Sequence, residues 1–306
     1  MSRLIFSRLL QAIPTLWVIA TLTFFMTRFA PGGPFDSEKA IPEEIKIKLE
    51  AHFGLDRPLF EQYILYIENL LRGDLGPSFK YPEWEVSELI ATAFPVSLTL
   101  GVLSFIIALL IGIPGGMIAA LRRNTWMDYL PMGLSMAGIC LPTFVLGPLL
   151  IFVFSTQLAL FPPLGWYGAS DWVLPSLTLG LFYAAYIARL TRAGMLETLQ
   201  QDYIRTARAK GASSWRILTK HAARGGLLPV VTFLGPAFAG LISGSFVIES
   251  IFFIPGLGKF FVTAAFNRDY TMVLGTVLFY ATLIICLNLV VDLIQALLDP
   301  KARQAK

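Results

Sequence analysis

Six stretches of this sequence are apolar for long enough to cross a lipid bilayer, and no other feature constrains the fold as strongly. The first, "LLQAIPTLWVIATLTFFMTRF" (Leu9–Phe29), runs for 21 residues. At about 1.5 Å per helical residue it covers a hydrocarbon core of about 30 Å. The others lie near residues 96–121, 129–156, 173–190, 227–250 and 272–297. In lipid every backbone N–H and C=O must find a partner within the protein, so runs of this kind fold as helices. The expected class is therefore an all-α polytopic membrane protein with six transmembrane helices. The fourth run carries Pro175 and Gly180 and ends at Arg189, so a buried half-span is its alternative reading. A composition of 56% hydrophobic and 14% charged residues agrees with a bilayer as solvent.

The N-terminal run is too long for the apolar part of a signal peptide and leads into "APGGP" without a small-x-small cleavage site, so it reads as a retained span. With the N-terminus inside, the inner segments hold fifteen Lys and Arg against nine outside, and twelve acidic residues fall between Asp36 and Glu88. Positive residues stay on the cytoplasmic side, which predicts a multi-pass membrane protein with both termini cytoplasmic. The basic residues flank apolar spans rather than a polar domain, which argues against nucleic acid as a partner and for lipid. Cys140 and Cys286 lie within apolar runs and imply neither a disulfide nor a metal site.

Residues 31–95 separate the first span (1–30) from a core of five spans (96–306), and they read as an external helical cap. "PEEIKIKLEAHFG" has Pro42 and two glutamates where the positive end of a helix dipole favours them, and Gly54 where the helix would stop. "DRPLFEQYILYIENLLRG" repeats the pattern, with Asp56 as expected N-cap, an apolar face of Leu59, Tyr63, Tyr66 and Leu70, and Gly73 at the end. Such a cap reads as a docking surface for an outside partner, with a shield over the spans as the alternative.

Catalytic chemistry is hard to find. "PGLGKFF" (Pro255–Phe261) is not a phosphate loop, because Phe253 and Phe260 stand where that motif needs Gly and Ser or Thr. It reads as a turn in which Pro255, Gly256 and Gly258 break a helix. Ser135 lies within a span, but the two histidines, His52 and His221, fall in the cap and in a basic insert, so no imidazole base is at membrane depth. No metal-ligand spacing occurs. Arg28, Glu249 and Asp292 are the ionisable groups of the spans, all toward span ends. Asp292, with Asn288 and Gln295 near it on the helix, fits a polar contact between helices. Glu249 could line an outer vestibule, and Ser135, Ser243 and Ser245 are candidate pathway residues because small and hydroxyl side chains permit close helix packing or a wet pore.

Between Asp202 and Gly226 six Lys and Arg residues are packed into 25 positions. "YIRTARAKG" reads as a short helix with a sharp exit at Gly211, and Ser213 or Ser214 is positioned to cap a second one. Two short helices with a glycine hinge make a shaped contact for another protein, beyond what a topological anchor needs.

The same residues carry a resemblance. "YIRTARAKGAS" followed by "KHAARGGLLPV" resembles the cytoplasmic EAA-type loop of binding-protein-dependent ABC importer permeases, in the variant of peptide importers. "RFAPGGPF", "LRGDLGPSFKY", "SGSFVIESIFFIPGLGKFFVTAAFNRDY" and "VVDLIQALLDPKAR" are similar to that family in the same order, so the resemblance covers nearly the whole chain. It looks most like the B-type membrane subunits of oligopeptide permeases; dipeptide, nickel and glutathione relatives share much of the pattern.

The resemblance implies a type I importer permease architecture and half of a translocation pathway. Its implied partners are a second related permease, two cytoplasmic ATPase subunits that hold ATP and Mg, and an external peptide-binding protein. This chain itself would be no enzyme and would bind no cofactor. Loop 191–226 would then be the coupling loop, with Tyr203, Arg205, Thr206, Ala207, Arg208, Ala209, Lys210 and Gly211 as the segment seated on an ATPase. Thr206, Ala207 and Arg208 stand where the general motif has Glu-Ala-Ala, so they match by register and carry over no particular ion pair. The alternative of another class, a self-sufficient secondary transporter or channel, would need ionisable groups near the midplane, of which the sequence offers few.

Overall fold

The computed structural model describes residues 2–35, 43–81, 83–243 and 246–298, and the regular structure within them is helical apart from one isolated bridge between Pro77 and Glu85. Among the described residues five helices are long and apolar enough to cross a membrane: Ile5–Phe29, Val86–Leu121, Ala169–Leu199, Leu228–Ile251 and Tyr270–Ile294. A bent pair, Trp126–Cys140 with Thr143–Gln157, makes a sixth if it is one span.

In chain order the elements begin with α1 (Ser2–Phe29), α2 (Glu43–His52), α3 (Leu59–Leu71), α4 (Val86–Leu121) and α5 (Trp126–Cys140). Next come α6 (Thr143–Leu150), which continues as a π-helix over Ile151–Gln157, α7 (Ala169–Leu199) and α8 (Asp202–Ala209). The short α9 (Ser214–Arg216), a second π-helix (Ile217–Ala222) and α10 (Ala223–Gly226) then lead into α11 (Leu228–Ser243) and α12 (Phe246–Ile251). Last are α13 (Leu257–Phe266) and α14 (Tyr270–Leu298). The chain divides into two units, one built chiefly on Ser97–Ile254 and the other on Ile5–Val96 with Pro255–Ile285. The main boundary falls between Val96 and Ser97, and the second unit takes in most of the first span together with Pro255–Ile285.

Within the first unit α7 is central. Of its most apolar window 56% is buried, against 11% for the first and last spans. At 31 residues the helix is long enough to cross a bilayer, which is what sets aside the half-span alternative for this run. Pro175 falls early in the helix and Gly180 is a packing site: a Cβ there would come within 2.9 Å of the Ser104 carbonyl on α4. Reciprocally, a Cβ on Gly112 of α4 would lie 2.8 Å from the Ala184 carbonyl, and one on Gly116 would strike the Ala188 carbonyl. Gly112 and Gly116 on α4 thus face the row Gly180, Ala184, Ala188 on α7, the small-residue spacing that lets two backbones touch in lipid. Ala108, Ala184, Ile187 and Val230 close the core beside this crossing.

The third run is continuous in apolarity but not in structure. Pro142 has no N–H to donate and disfavours a helical Leu141, which adopts φ −82°, ψ 117°; α5 and α6 meet at 109°.

In the second unit Phe24 of α1 is fully buried, with the rings of Tyr63 and Tyr66 each 5.4 Å from its own. The predicted inner face of α3 is the half-buried one, and Gly54 and Gly73 close α2 and α3 with φ of +65° and +79°. Asp56 is not the cap: α3 starts at Leu59 after Pro58, whose fixed φ begins the turn without a side-chain bond. Pro42 lies outside the described residues. Asp269 is buried at the start of α14 and accepts hydrogen bonds from the Phe79 and Lys80 amides and from the Met272 amide, joining a loop to a helix N-terminus. The break expected at "PGLGKFF" falls earlier, at Phe253 (φ +56°) to Gly256; Gly258 and Lys259 are already in α13.

Candidate functional site

The basic insert folds as two short helical pieces around a glycine. α8 spans Asp202–Ala209, and its chain exits through Gly211 at φ +78°, a left-handed conformation that L side chains rarely adopt. The Ser213 hydroxyl then accepts from the Arg216 amide and caps the second piece.

Helix α8 has two faces. Ile204 (0% exposed) and Ala207 (9%) turn inward and pack with Met195 of α7, Ala120 at the end of α4, and Ile217, Leu218 and Ala222. Tyr203, Arg205, Thr206, Arg208, Ala209, Lys210 and Gly211 are exposed. Of the eight residues expected to meet a partner, seven are thus presented outward together, while Ala207 packs against its own chain because it lies three positions from Ile204 on one face. Arg205 also lies 3.3 Å from Asp202, but both side chains are largely in water, where such a pair contributes little. Two residues that the sequence reading passed over belong to this region: Ile204, the inward anchor, and Trp215, 67% exposed beside Arg216. Their signal was an apolar residue in a basic run and an exposed aromatic at a helix start.

The turn before α5 is fixed by an ion pair also missed from sequence. Arg192 of α7 reaches the buried Asp128 through two contacts, Nε to Oδ1 at 2.6 Å and Nη2 to Oδ2 at 2.7 Å, and Oδ2 further accepts from the Asn124 amide. A two-pronged guanidinium–carboxylate contact fixes orientation as well as distance.

Of the candidate pathway residues, Ser135 and Glu249 have described side chains, and both are buried. Ser135 is buried and its hydroxyl donates to the Pro131 carbonyl of its own helix at 2.7 Å. Glu249 is 0% exposed and accepts from the Ser97 hydroxyl of α4 at 2.7 Å, so it does not line an open vestibule in this structure. Burial under α4 is the reason: Ser97 supplies the donor that a carboxylate needs there. Ser243 ends α11, and Ser245 lies outside the described residues. Among the described residues no group of three or more His, Cys, Asp or Glu is arranged to hold a metal ion.

Family models and relatives cover nearly the whole chain. Residues 112–304 match the family described as the binding-protein-dependent transport system inner membrane component, and residues 1–101 match the N-terminal part described for such membrane components. The chain is 49% identical to the oligopeptide transport system permease protein OppB of Haemophilus influenzae over 305 residues, covering 99% of this chain and 100% of that one. It is 47% identical to OppB of Salmonella typhimurium with the same coverage. The dipeptide transport system permease protein DppB of Bacillus subtilis is 45% identical, covering 100% of this chain and 99% of its own. Among solved structures, the inward-facing MetNI methionine ABC transporter overlays at a TM-score of 0.58 with 18% identity, covering 70% of this chain and 97% of that one. An amino acid ABC transporter overlays at 0.55 with 15% identity, covering 69% and 94%.

Proposed function

The chain belongs to the family of binding-protein-dependent transport system inner membrane components, and from that premise we propose that it forms half of the pathway of an ATP-driven oligopeptide importer. The observation that carries this reading is the full-length likeness to oligopeptide permeases, which includes the cap and the basic loop as well as the spans. The family is one of membrane permeases that work with other permease and ATPase subunits, which leaves a self-sufficient secondary transporter without support.

In this proposal a second related permease completes the pathway, two ATPases hold ATP and Mg, and an external protein delivers the peptide. Both termini lie in the cytoplasm. The exposed face of α8 rests in a groove of one ATPase, where Arg205, Arg208 and Lys210 offer charge and Tyr203 and Ala209 offer contact. Gly211 then sets the direction in which the chain leaves. ATPase dimerisation moves α8, and α8 moves the helices it is packed on. Two geometric facts support the coupling role: seven residues exposed together, and an inner face anchored to α4 and α7.

The test is co-purification of the tagged protein from its native membrane, followed by ATPase and uptake assays. Recovery of a second permease and ATPases, with hydrolysis stimulated by a peptide-loaded external protein and uptake of peptides longer than two residues, is expected. A partner-free chain that still moved solute in vesicles would overturn the reading.

A further inference from the structure

Helix α3 has an apolar face wider than the surface it packs on. With about 3.6 residues per turn, Leu59, Tyr63, Tyr66 and Leu70 share one side of its axis, and these residues are half-buried. The next arc round the helix holds Ile67, Phe60, Leu71 and Ile64. It is apolar throughout, yet Phe60 (69%), Leu71 (82%) and Ile64 (41%) are exposed. Only beyond that arc does the helix turn charged, at Glu68, Glu61 and Arg72. A strip bounded by packing on one side and by charges on the other marks a surface with an occupant.

Contacts to the first span fix the level at which the strip lies. Tyr63 and Thr21 share a hydrogen bond of 2.8 Å between their hydroxyls, and the Tyr63 ring stacks on Phe25 at 5.5 Å. The span Ile5–Phe29 has 25 residues, about 37 Å, so centred on a core of about 30 Å it overhangs each face by only about 4 Å. Thr21 stands eight residues before Phe29, about 12 Å along the axis, and is thus about 8 Å inside the hydrocarbon. Amphipathic helices that lie in the interface bury their apolar faces to about 5–10 Å. At 13 residues, about 20 Å, α3 is too short to cross.

The polar edge of α3 points the other way. Gln62 Oε1 accepts from Arg28 Nε at 2.9 Å, seven positions nearer the end of the span than the Thr21 contact made by the adjacent Tyr63. Passing from Gln62 through Tyr63 to Phe60, Leu71 and Ile64 therefore leads from the end of the span toward its middle. The surface beside α3 is of the same kind: Leu22, Met26 and Phe29 are exposed on α1, and Phe25 joins the two surfaces by stacking on Phe29 and on Tyr63. A protein arriving from water would meet the charged side of α3 first.

We propose that α3 is an interfacial helix, with Phe60, Ile64 and Leu71 sunk among the acyl chains of one leaflet and Glu61, Glu68 and Arg72 at the headgroups. The cap is then fastened to the bilayer as well as to α1. The proposal rests on α1 being a span and needs neither ATPase partners nor transport.

The experiment places nitroxide labels through Phe60→Cys, Ile64→Cys, Leu71→Cys, Glu61→Cys and Glu68→Cys, one at a time, after Cys140→Ala and Cys286→Ala remove the native thiols. The full-length chain, with the subunits that co-purify with it, is reconstituted in nanodiscs of phosphatidylethanolamine and phosphatidylglycerol. Power-saturation EPR compares collisions with oxygen, which enters lipid, and with a water-soluble nickel chelate. Labels at 60, 64 and 71 are expected to favour oxygen by at least about threefold, and those at 61 and 68 to favour nickel. All five side chains are exposed, so no label displaces a packed group. Nickel access at 60, 64 and 71 equal to that at 61 and 68 would put the strip in water and overturn the proposal. Protection of the strip from both reagents would also overturn it, by showing that another subunit covers it.

Discussion

Ser78 and Asp269 stand 191 positions apart, and the Ser78 hydroxyl donates to the buried Asp269 carboxylate. The same carboxylate accepts from the Phe79 and Lys80 amides at 3.1 and 3.2 Å, from the Thr271 hydroxyl at 3.0 Å, and from the Met272 amide at 3.1 Å, where it caps α14. One side chain thereby fixes a loop and starts a span. Asp269→Ala takes this acceptor from the Ser78 hydroxyl and from the Phe79 and Met272 amides, while the Lys80 amide keeps Ser78 Oγ and the Thr271 hydroxyl keeps the Pro77 carbonyl, and it is expected to destabilise the protein by about 3 kcal/mol. Ser78→Ala removes one donor and should cost only about 1 kcal/mol. Thermal unfolding in detergent, with protease sensitivity at residues 78–81, measures both. Equal melting temperatures for Asp269→Ala and the parent would contradict the arrangement.

The Asp128–Arg192 pair sets a second expectation. Arg192→Met strands a carboxylate that is almost wholly buried, at a cost on the order of 3 kcal/mol. Asp128→Leu combined with Arg192→Met removes both charges and should recover most of that loss. A double-mutant cycle read by thermal unfolding decides; additive losses would mean that the two residues act independently.

Glycines next to one another on α4 should behave oppositely. A Cβ at Gly116 strikes the Ala188 carbonyl and the Thr191 side chain, whereas one at Gly115 meets nothing within 4 Å. Gly116→Ala is therefore expected to lose about 1 to 3 kcal/mol through forced separation of α4 and α7. Gly115→Ala should be neutral or stabilising, since Ala favours helix. Melting temperatures of the two single variants, measured side by side, would refute this if they moved together.

At Gly211 the obstacle is conformation rather than space, because nothing lies within 4 Å of an added Cβ but φ is +78°. Gly211→Val should insert into the membrane at normal levels, with a local cost of about 1 to 3 kcal/mol confined to the exit of α8. Peptide uptake should fall while ATP hydrolysis by the complex persists. Charge reversal at Arg205 and Arg208 should instead reduce recovery of the ATPase partner. Normal uptake in Gly211→Val at normal expression would remove this residue from the coupling role.

Features set by local chemistry were readable from the chain itself. Span positions followed from apolar runs, though the helices around the runs at 96–121 and 173–190 extend well past them, to Val86–Leu121 and Ala169–Leu199; α8 followed from its alanines, the Ser213 cap from a serine before a helix, and the Gly211 turn from a glycine after one. The bend at Leu141 was also written locally, in Pro142, but a helix apolar on every side gives no periodic contrast to show where it stops. The centrality of α7 was hidden for the same reason, since Pro175 and Gly180 look like breakers until the partner helix is seen. Long-range pairs were illegible. Ser97 and Glu249 are 152 positions apart and Asp128 and Arg192 are 64 apart, and no spacing rule connects either pair. At the basic loop the outward residues were legible as charge, whereas the inward roles of Ile204 and Ala207 needed the neighbouring helices.

Those inward roles give the loop a mechanical character. A basic loop tethered only at its ends would take up an applied force as slack. Here Ile204 and Ala207 are bedded against Ala120 and Met195, so α8 is bolted to the ends of two long helices at once. A force applied to its outer face would therefore reach two shafts at once, α4 and α7, whose backbones touch where Gly112 and Gly116 meet the carbonyls of Ala184 and Ala188.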